Sequence, residues 1–287
     1  MASALAQGLS HGTIVNESCC LHYWYIAGTD PDRRLITFIP GGNGHGIQFF
    51  SLMKALAAQG FNCVTFDRRQ MSASQPIDNL PHKPLSPPQQ ARDARAVIKA
   101  MGHDKSIVFG SSSGGLFALQ LAQDFPDMVE HLIVHEAALV NLLPDSSKWL
   151  DWFVYLVDLF DTQGIEVAQK AFEVELIGYD AEGVPPCVRP DPGNPVNFWQ
   201  NEFKVQLGYM PNLWKIKQDK VSVGAMRGVR CKDAFFARAV DELAVVLDCP
   251  AMAVPGHHQG FEVEMEDFLP SFMGMLDTLE KRKEASA

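Results

Sequence analysis

Residues 106–119 read SIVFGSSSGGLFAL, an apolar run that stops at three serines and two glycines and then resumes. The first run, SIVFG (106–110), has the β-branched and aromatic character of a buried strand. The second, GGLFALQLAQDF (114–125), has helical spacing. Between them Gly110, Ser112 and Gly114 satisfy G-x-S-x-G, a pattern that acquires meaning only between a strand and a helix. There the chain folds back tightly, and the central serine projects above the sheet edge at a backbone cost on the order of 1–3 kcal/mol. The amides and positive end of the following helix favour negative charge beside it. Ser112 is therefore the candidate nucleophile. Ser111 and Ser113 fail the spacing, and Ser113 is expected to offer its N–H instead of its hydroxyl. The alternatives are a plain Gly/Ser turn or a phosphate-binding loop, but GSSSGG lacks the G-x-G-x-x-G spacing of a dinucleotide site.

Outward from this turn, strand-like and helix-like segments alternate. Strands are expected at 21–28, 34–40, 62–67, 106–110 and 129–136, and again at 221–226 and 250–254. Helices are expected at 45–60, ending on Gly60, and at 86–102, opening on Ser86 and two prolines. Two further helices follow, at 233–247 and 261–283, with Pro270 bending the last. Continuously apolar strands alternating with helices indicate an α/β fold with a parallel sheet covered on both faces. The alternation breaks over 140–216, where helical patterns at 146–161, 165–178 and 196–210 occur without a strand and a Pro-rich loop fills 183–195. The division expected is a core domain of 1–139 and 217–287 with a helical cap or lid of 140–216.

Strand 34–40 runs into Gly41, Gly42, Asn43 and Gly44. Such a loop supplies a second backbone donor for an oxyanion, so Gly42 and Ser113 are the candidate oxyanion hole, with Gly41 beside the substrate. The general base follows the serine and the acid in chain order. Of the nine histidines, His257 and His258 lie in PAMAVPGHHQGF just past the last expected strand, and His258 is preferred. His131 and His135 read as hydrogen-bonded structural residues in a strand; His11, His22, His45, His82 and His103 read as surface or loop residues. For the acid, Glu136 closes VEHLIVHE, where a carboxylate at an apolar strand end needs a partner. Asp233 is the alternative, seven residues beyond strand 221–226 and better placed to cap a helix. Asp67 reads as structural, bonding amides in the turn after it.

Composition narrows the function classes. The chain has 287 residues, 47% hydrophobic and 20% charged, with a formal net charge of −10, which disfavours nucleic acid and anionic membrane surfaces. The start MASALAQGLSHG lacks the pattern of a secretion signal, and no apolar run has the length of a membrane span. Six cysteines without a C-x-x-C pair suggest neither a disulfide framework nor a zinc site. A soluble cytoplasmic protein with reduced thiols is expected.

Taken together, PGGNG, FDRRQMSAS, GSSSGG, the helical segment and PGHHQGF resemble, in order, the α/β-hydrolase superfamily over nearly the full length. Within it, HEAALVNLLP is similar to the HE-x-x-L-x-x-LLP segment of a microbial and fungal branch that includes zearalenone lactonases. The resemblance implies an α/β-hydrolase fold: a mostly parallel twisted sheet flanked by helices, with a helical lid inserted after the sixth strand. It implies Glu136 as the acid, and His258 as the base because that residue precedes Gln259-Gly260-Phe261. Gln70 departs from the family's D-R-R-G, Ala137 and Ala138 replace prolines often seen after HE, and His257 stands where glycine is frequent.

The function expected is a serine hydrolase of an apolar ester or lactone, working through Ser112, His258 and Glu136 and an acyl-enzyme, without metal or organic cofactor. Cap aromatics Trp149, Trp152, Phe153, Phe198, Trp199 and Phe203 are candidates to line the pocket, Trp152, Trp199 and Phe203 foremost. The cap is also a possible homodimer surface. The alternatives are a C–C bond hydrolase or cofactor-free lyase on a polyketide-like or aromatic-derived substrate, and a non-catalytic ligand-binding protein of the same fold.

Overall fold

In the computed structural model, residues 5–29 and 33–285 are described, so the first four residues of MASALAQ lie outside the description. Among the described residues nine strands form one sheet: β1 (Ser10–Asn16), β2 (Cys19–Ile26), β3 (Leu35–Ile39), β4 (Asn62–Phe66), the two-residue β5 (Gln75–Pro76), β6 (Ser106–Ser111), β7 (Val129–His135), β8 (Val223–Gly228) and β9 (Ala251–Val254). Their order is β1-β2-β4-β3-β6-β7-β8-β9, with β5 beside β2. From β4 through β9 along this path every pairing is parallel. The C-terminal ends of β3, β6, β7, β8 and β9 therefore share one edge, which is where an open parallel sheet places its ligand crevice.

The sequence reading overlooked β1. It is an antiparallel edge strand, mostly exposed, joined to β2 by a two-residue turn. Glu17 and Ser18 both take positive φ there, 43° and 60°. That geometry normally recruits Asn or Gly, so a turn made from Glu-Ser carries no hairpin signature. Counting β1 but not the two-residue β5, the long helical excursion follows the sixth strand; counting both, it follows β7.

Each face of the sheet has its own core. One face buries Ala91, Val97, Leu116, Leu119, Val240 and Leu243 from helices Pro87–Ala100, Ser113–Asp124 and Phe235–Leu247. The other buries Phe49, Leu52, Phe261, Phe268, Phe272 and Met275, from the stretch around helix Phe50–Ala58 and the C-terminal helices. Ser86 caps its helix by accepting from Gln89 N, with proline in the first turn. The C-terminal helix runs from Met265 to Glu284 with Pro270 inside it, and Glu264 separates it from the short helix Gly260–Val263.

Between β7 and β8 lie helices Ser146–Gln163 and Ile165–Glu173, the short helix Gly193–Asn197, a π-helical turn Phe198–Phe203, and helices Lys204–Gln206 and Leu213–Gln218. The expected helix 196–210 is a continuous helical run from Gly193 to Gln206, whose middle turn Phe198–Phe203 is π-helical. Among the described residues no helix is long and apolar enough to cross a membrane, and all six cysteines are free.

Candidate active site

β6 ends at Ser111, helix Ser113–Asp124 begins at Ser113, and Ser112 between them has φ 57° and ψ −127°. The flanking glycines explain how the chain turns there. A Cβ on Gly110 would stand 2.4 Å from the Gly114 carbonyl oxygen, and one on Gly114 would stand 2.1 Å from that of Ile39. Neither position admits a side chain without moving backbone. Ser112 N–H donates to the His135 carbonyl at 2.9 Å, which ties the turn to the end of β7. The neighbouring hydroxyl of Ser111 is engaged with buried His135 Nδ1 at 3.2 Å.

The chain leaves β7 through Glu136, another non-glycine residue at positive φ, 47°. Its side chain is 0% exposed. Oε1 accepts from Gly228 N–H at 2.8 Å; Oε2 lies 2.7 Å from His258 Nδ1 and 3.3 Å from the Cys231 thiol. A carboxylate only accepts, so Nδ1 carries the imidazole proton and Nε2 is the nitrogen left to act as a base. Burial pushes the Glu136 carboxyl up, but the His258 hydrogen bond, with His135 and the Cys231 thiol, outweighs it and holds the group below the usual value. Asp233 is exposed. It does not cap helix Phe235–Leu247 either, since the N-cap there is Ala234, with no side-chain bond. The carboxylate that His258 Nδ1 bonds is thus Glu136, not the exposed Asp233.

The turn 41–44 closes on itself through Gly44 N–H donating to Gly41 O at 2.9 Å. It lies against Ser112: a Cβ on Gly41 would stand 2.9 Å from Ser112 Cβ. Gly41, Gly42, Ser112, Ser113 and His258 all line one cavity of about 140 Å³. Its other walls are largely aromatic and aliphatic, including Phe153, Phe172, Phe198, Phe203 and Phe235. The described residues that line it include no Asp, Glu, Lys or Arg.

Of the cap aromatics singled out in the sequence, Phe153, Phe198 and Phe203 reach this cavity; Trp149, Trp152 and Trp199 do not. The tryptophans are spent on holding the helices together, because a buried indole must satisfy its N–H. Trp199, 1% exposed, donates to Gln169 Oε1 at 3.0 Å and stacks on Phe160. Trp149 donates to Asp145 Oδ2 at 3.1 Å, and Trp152 packs against Trp149, Phe153 and Phe172. The sequence reading passed over Phe172, Tyr179, Phe235, Phe236 and Gln259, all of them in the wall. They sit in four different elements, so no local spacing connects them.

The remaining histidines sort by surroundings. His257 is absent from the cavity wall; its ring stacks on Tyr179 at 4.0 Å, and its Nδ1 accepts from Gln259 N–H. His131 bonds Ser222 Oγ through Nδ1 at 2.7 Å. His45 is not at the surface but 1% exposed, where burial lowers its pKa to about 4. Asp67 accepts from Gly46 and Ala73 amides, so it braces the loop before helix Phe50–Ala58 as well as the turn that follows it. Gln70, in the place of the motif's glycine, does adopt positive φ, 63°; its side chain bonds both Lys83 backbone groups and Asn197 in the short helix Gly193–Asn197.

The sequence matches the family described as alpha/beta hydrolase fold over residues 34–177, half the chain. The chain belongs to the α/β-hydrolase family. An uncharacterized hydrolase of Bacillus subtilis strain 168, YraK, is 25% identical to this hydrolase over 278 residues, 95% of this chain and 98% of its own length. Zearalenone hydrolase of Bionectria ochroleuca is 28% identical over 127 residues, 44% of this chain and 47% of its own. Among solved structures, a carboxylesterase of the thaumarchaeon Nitrososphaera gargenis aligns with a TM-score of 0.66 at 16% identity, over 94% of this hydrolase and 100% of the other chain.

Proposed function

We propose that this α/β hydrolase cleaves an apolar, uncharged ester or lactone by nucleophilic catalysis at Ser112. The single observation that carries the reading is the 2.7 Å contact between Glu136 Oε2 and His258 Nδ1, with His258 and Ser112 in one cavity wall. His258 Nε2 takes the Ser112 hydroxyl proton as Oγ attacks the substrate carbonyl. The negative charge that develops on the carbonyl oxygen is met by the Gly42 and Ser113 N–H groups, the latter at a helix N-terminus. The imidazolium, stabilised by Glu136, then protonates the leaving alkoxide, and the ester or lactone C–O bond breaks. Water, deprotonated by the same nitrogen, attacks the acyl-serine, and Ser112 regains its proton as the acid product leaves.

The apolar substrate follows from the wall: aromatic rings and aliphatic chains with a few carboxamides, and no fixed charge among the described lining residues. The fungal relative named for zearalenone hydrolysis favours a lactone. In this reading residues 140–216 are the cap that shapes the pocket.

The test is labelling with a fluorophosphonate, read by peptide mass spectrometry on wild type and Ser112→Ala, followed by an ester and lactone screen. Labelling confined to Ser112, and loss of hydrolysis by a factor of about 10³ or more in Ser112→Ala, are expected. Hydrolysis that survives Ser112→Ala would overturn the proposal.

A further inference from the structure

Behind the cavity wall lies an ion pair that the chemistry above does not use. Arg68, just past β4, and Glu202, on the π-helical turn of the cap, both have side chains that are 0% exposed. Arg68 Nη1 donates to both Glu202 oxygens at 2.8 Å. Gln90 and Gln206 add amide donors to the same carboxylate, at 3.0 and 3.2 Å. The other side of the guanidinium is turned to the glycine turn: Nε and Nη2 both donate to Gly41 O, at 3.1 and 2.9 Å. The backbone N–H of Arg68 donates to Gly44 O at 2.8 Å, and the ring of Phe117 lies 5.0 Å from the guanidinium carbon.

Gly41 O belongs to the peptide unit whose N–H is that of Gly42. Among the described residues every peptide bond is trans, and in a trans peptide the C=O and N–H vectors point in opposite directions. Clamping Gly41 O from one side therefore aims the Gly42 N–H to the other. The Gly44 N–H holds the same oxygen from within the turn at 2.9 Å, but glycines at 41, 42 and 44 give the turn little further stiffness, so the two Arg68 donors supply the constraint from outside. A cation on the carbonyl also polarises the peptide and strengthens its N–H as a donor.

We propose that Arg68 is a positioning residue for the oxyanion hole, and that Glu202 makes its position depend on the seated cap. The inference rests on the serine-hydrolase reading with Gly42 as oxyanion donor. On this view the cap does more than enclose substrate: the residue that orients the Gly42 amide is itself held by the cap's own π turn. A free catalytic serine with the cap displaced would be left with one oriented donor instead of two.

The decisive variant is the double substitution Arg68→Met with Glu202→Leu, which removes both charges and leaves neither buried alone. Kinetics on p-nitrophenyl butyrate, thermal melts and fluorophosphonate labelling would be read together. The expected result is a folded protein that still labels at Ser112, with kcat lower by about 10²–10³-fold, the cost of one oxyanion donor, and KM within about threefold. A merely structural pair would shift the melt and leave the kcat–KM split unmoved, and a folded double variant with kcat within twofold of wild type would overturn the proposal. If the double variant does not fold, Arg68→Lys serves instead. It keeps the charge opposite Glu202 but loses the planar fork on Gly41 O, and should lower kcat about tenfold at unchanged KM; unchanged kcat overturns the proposal. Absence of Ser112 labelling in the wild type would instead sink the serine-hydrolase reading, independently of the variants.

Discussion

Two buried glutamates, neither of them in the cavity wall, are paired with side chains of different chemistry. Glu136 and Glu202 are both 0% exposed, and each holds a cation-forming side chain at hydrogen-bond distance. Glu136 is paired with an imidazole, which has a second ring nitrogen able to accept a proton; Glu202 is paired with a guanidinium, which only donates. Only the first pair is able to shuttle a proton, so only the first is suited to acid–base chemistry. The second offers what the first lacks, a permanent charge in a rigid fork, suited to fixing a backbone carbonyl.

The largest effect that would break this contrast is on catalysis. Glu136→Gln should lower kcat by about 10³–10⁴-fold, because the amide no longer holds the productive tautomer or stabilises the imidazolium. Asp233→Asn, a change at an exposed position away from the pair, should stay within about twofold. If the two variants exchanged these outcomes in steady-state kinetics, the assignment of the acid would be wrong.

Stability should order the two pairs the other way. Glu202→Ala leaves a guanidinium buried without its counter-charge and should cost about 3–5 kcal/mol in urea unfolding. Glu136→Ala leaves the His258 Nδ1–H and the Gly228 N–H without their acceptor but no permanent charge unpaired, and should cost less, about 1–3 kcal/mol. Equal costs would mean that the partner's chemistry does not decide the price of burial.

A pH titration sharpens the same point on the residue before Glu136. Complete burial of the His135 ring lowers its pKa to about 4 from the ordinary 6.5. The folded protein therefore binds that proton later than the unfolded chain, so stability is unaffected above pH 6.5 and falls as pH drops from there toward 4. The loss is about 3 kcal/mol for a shift of this size. His135→Phe, set among Phe109, Phe261 and Phe268, should flatten that acid limb in melts taken between pH 7 and 4. An unchanged slope would show that other groups set it.

What could be read from the sequence was what is local. The strand–G-x-S-x-G–helix pattern is local because the close contacts that exclude side chains at Gly110 and Gly114 arise within one turn and its neighbouring strand. The order of strands and helices, and so the shared edge, follows from periodicities that one segment carries by itself. Even Glu136 was legible, since a carboxylate at the end of an apolar strand asks for a partner.

What remained hidden was what joins distant segments. β1 escaped because its turn uses Glu17 and Ser18 where glycine or asparagine would have announced it. Trp152 and Trp199 were misplaced because sequence tells that a large ring will be packed, not whether its partners will be other rings, as for Trp152, or an amide that takes its N–H, as for Trp199. Arg68 and Glu202 are 134 positions apart, and nothing in either neighbourhood names the other. The sequence by itself determined the fold class and the turn that presents Ser112, because those rest on backbone sterics and hydrophobic period. Only the tertiary structure decided which rings face the cavity and which cation holds Gly41, because buried polar groups take whatever partner the packed chain brings within 3 Å.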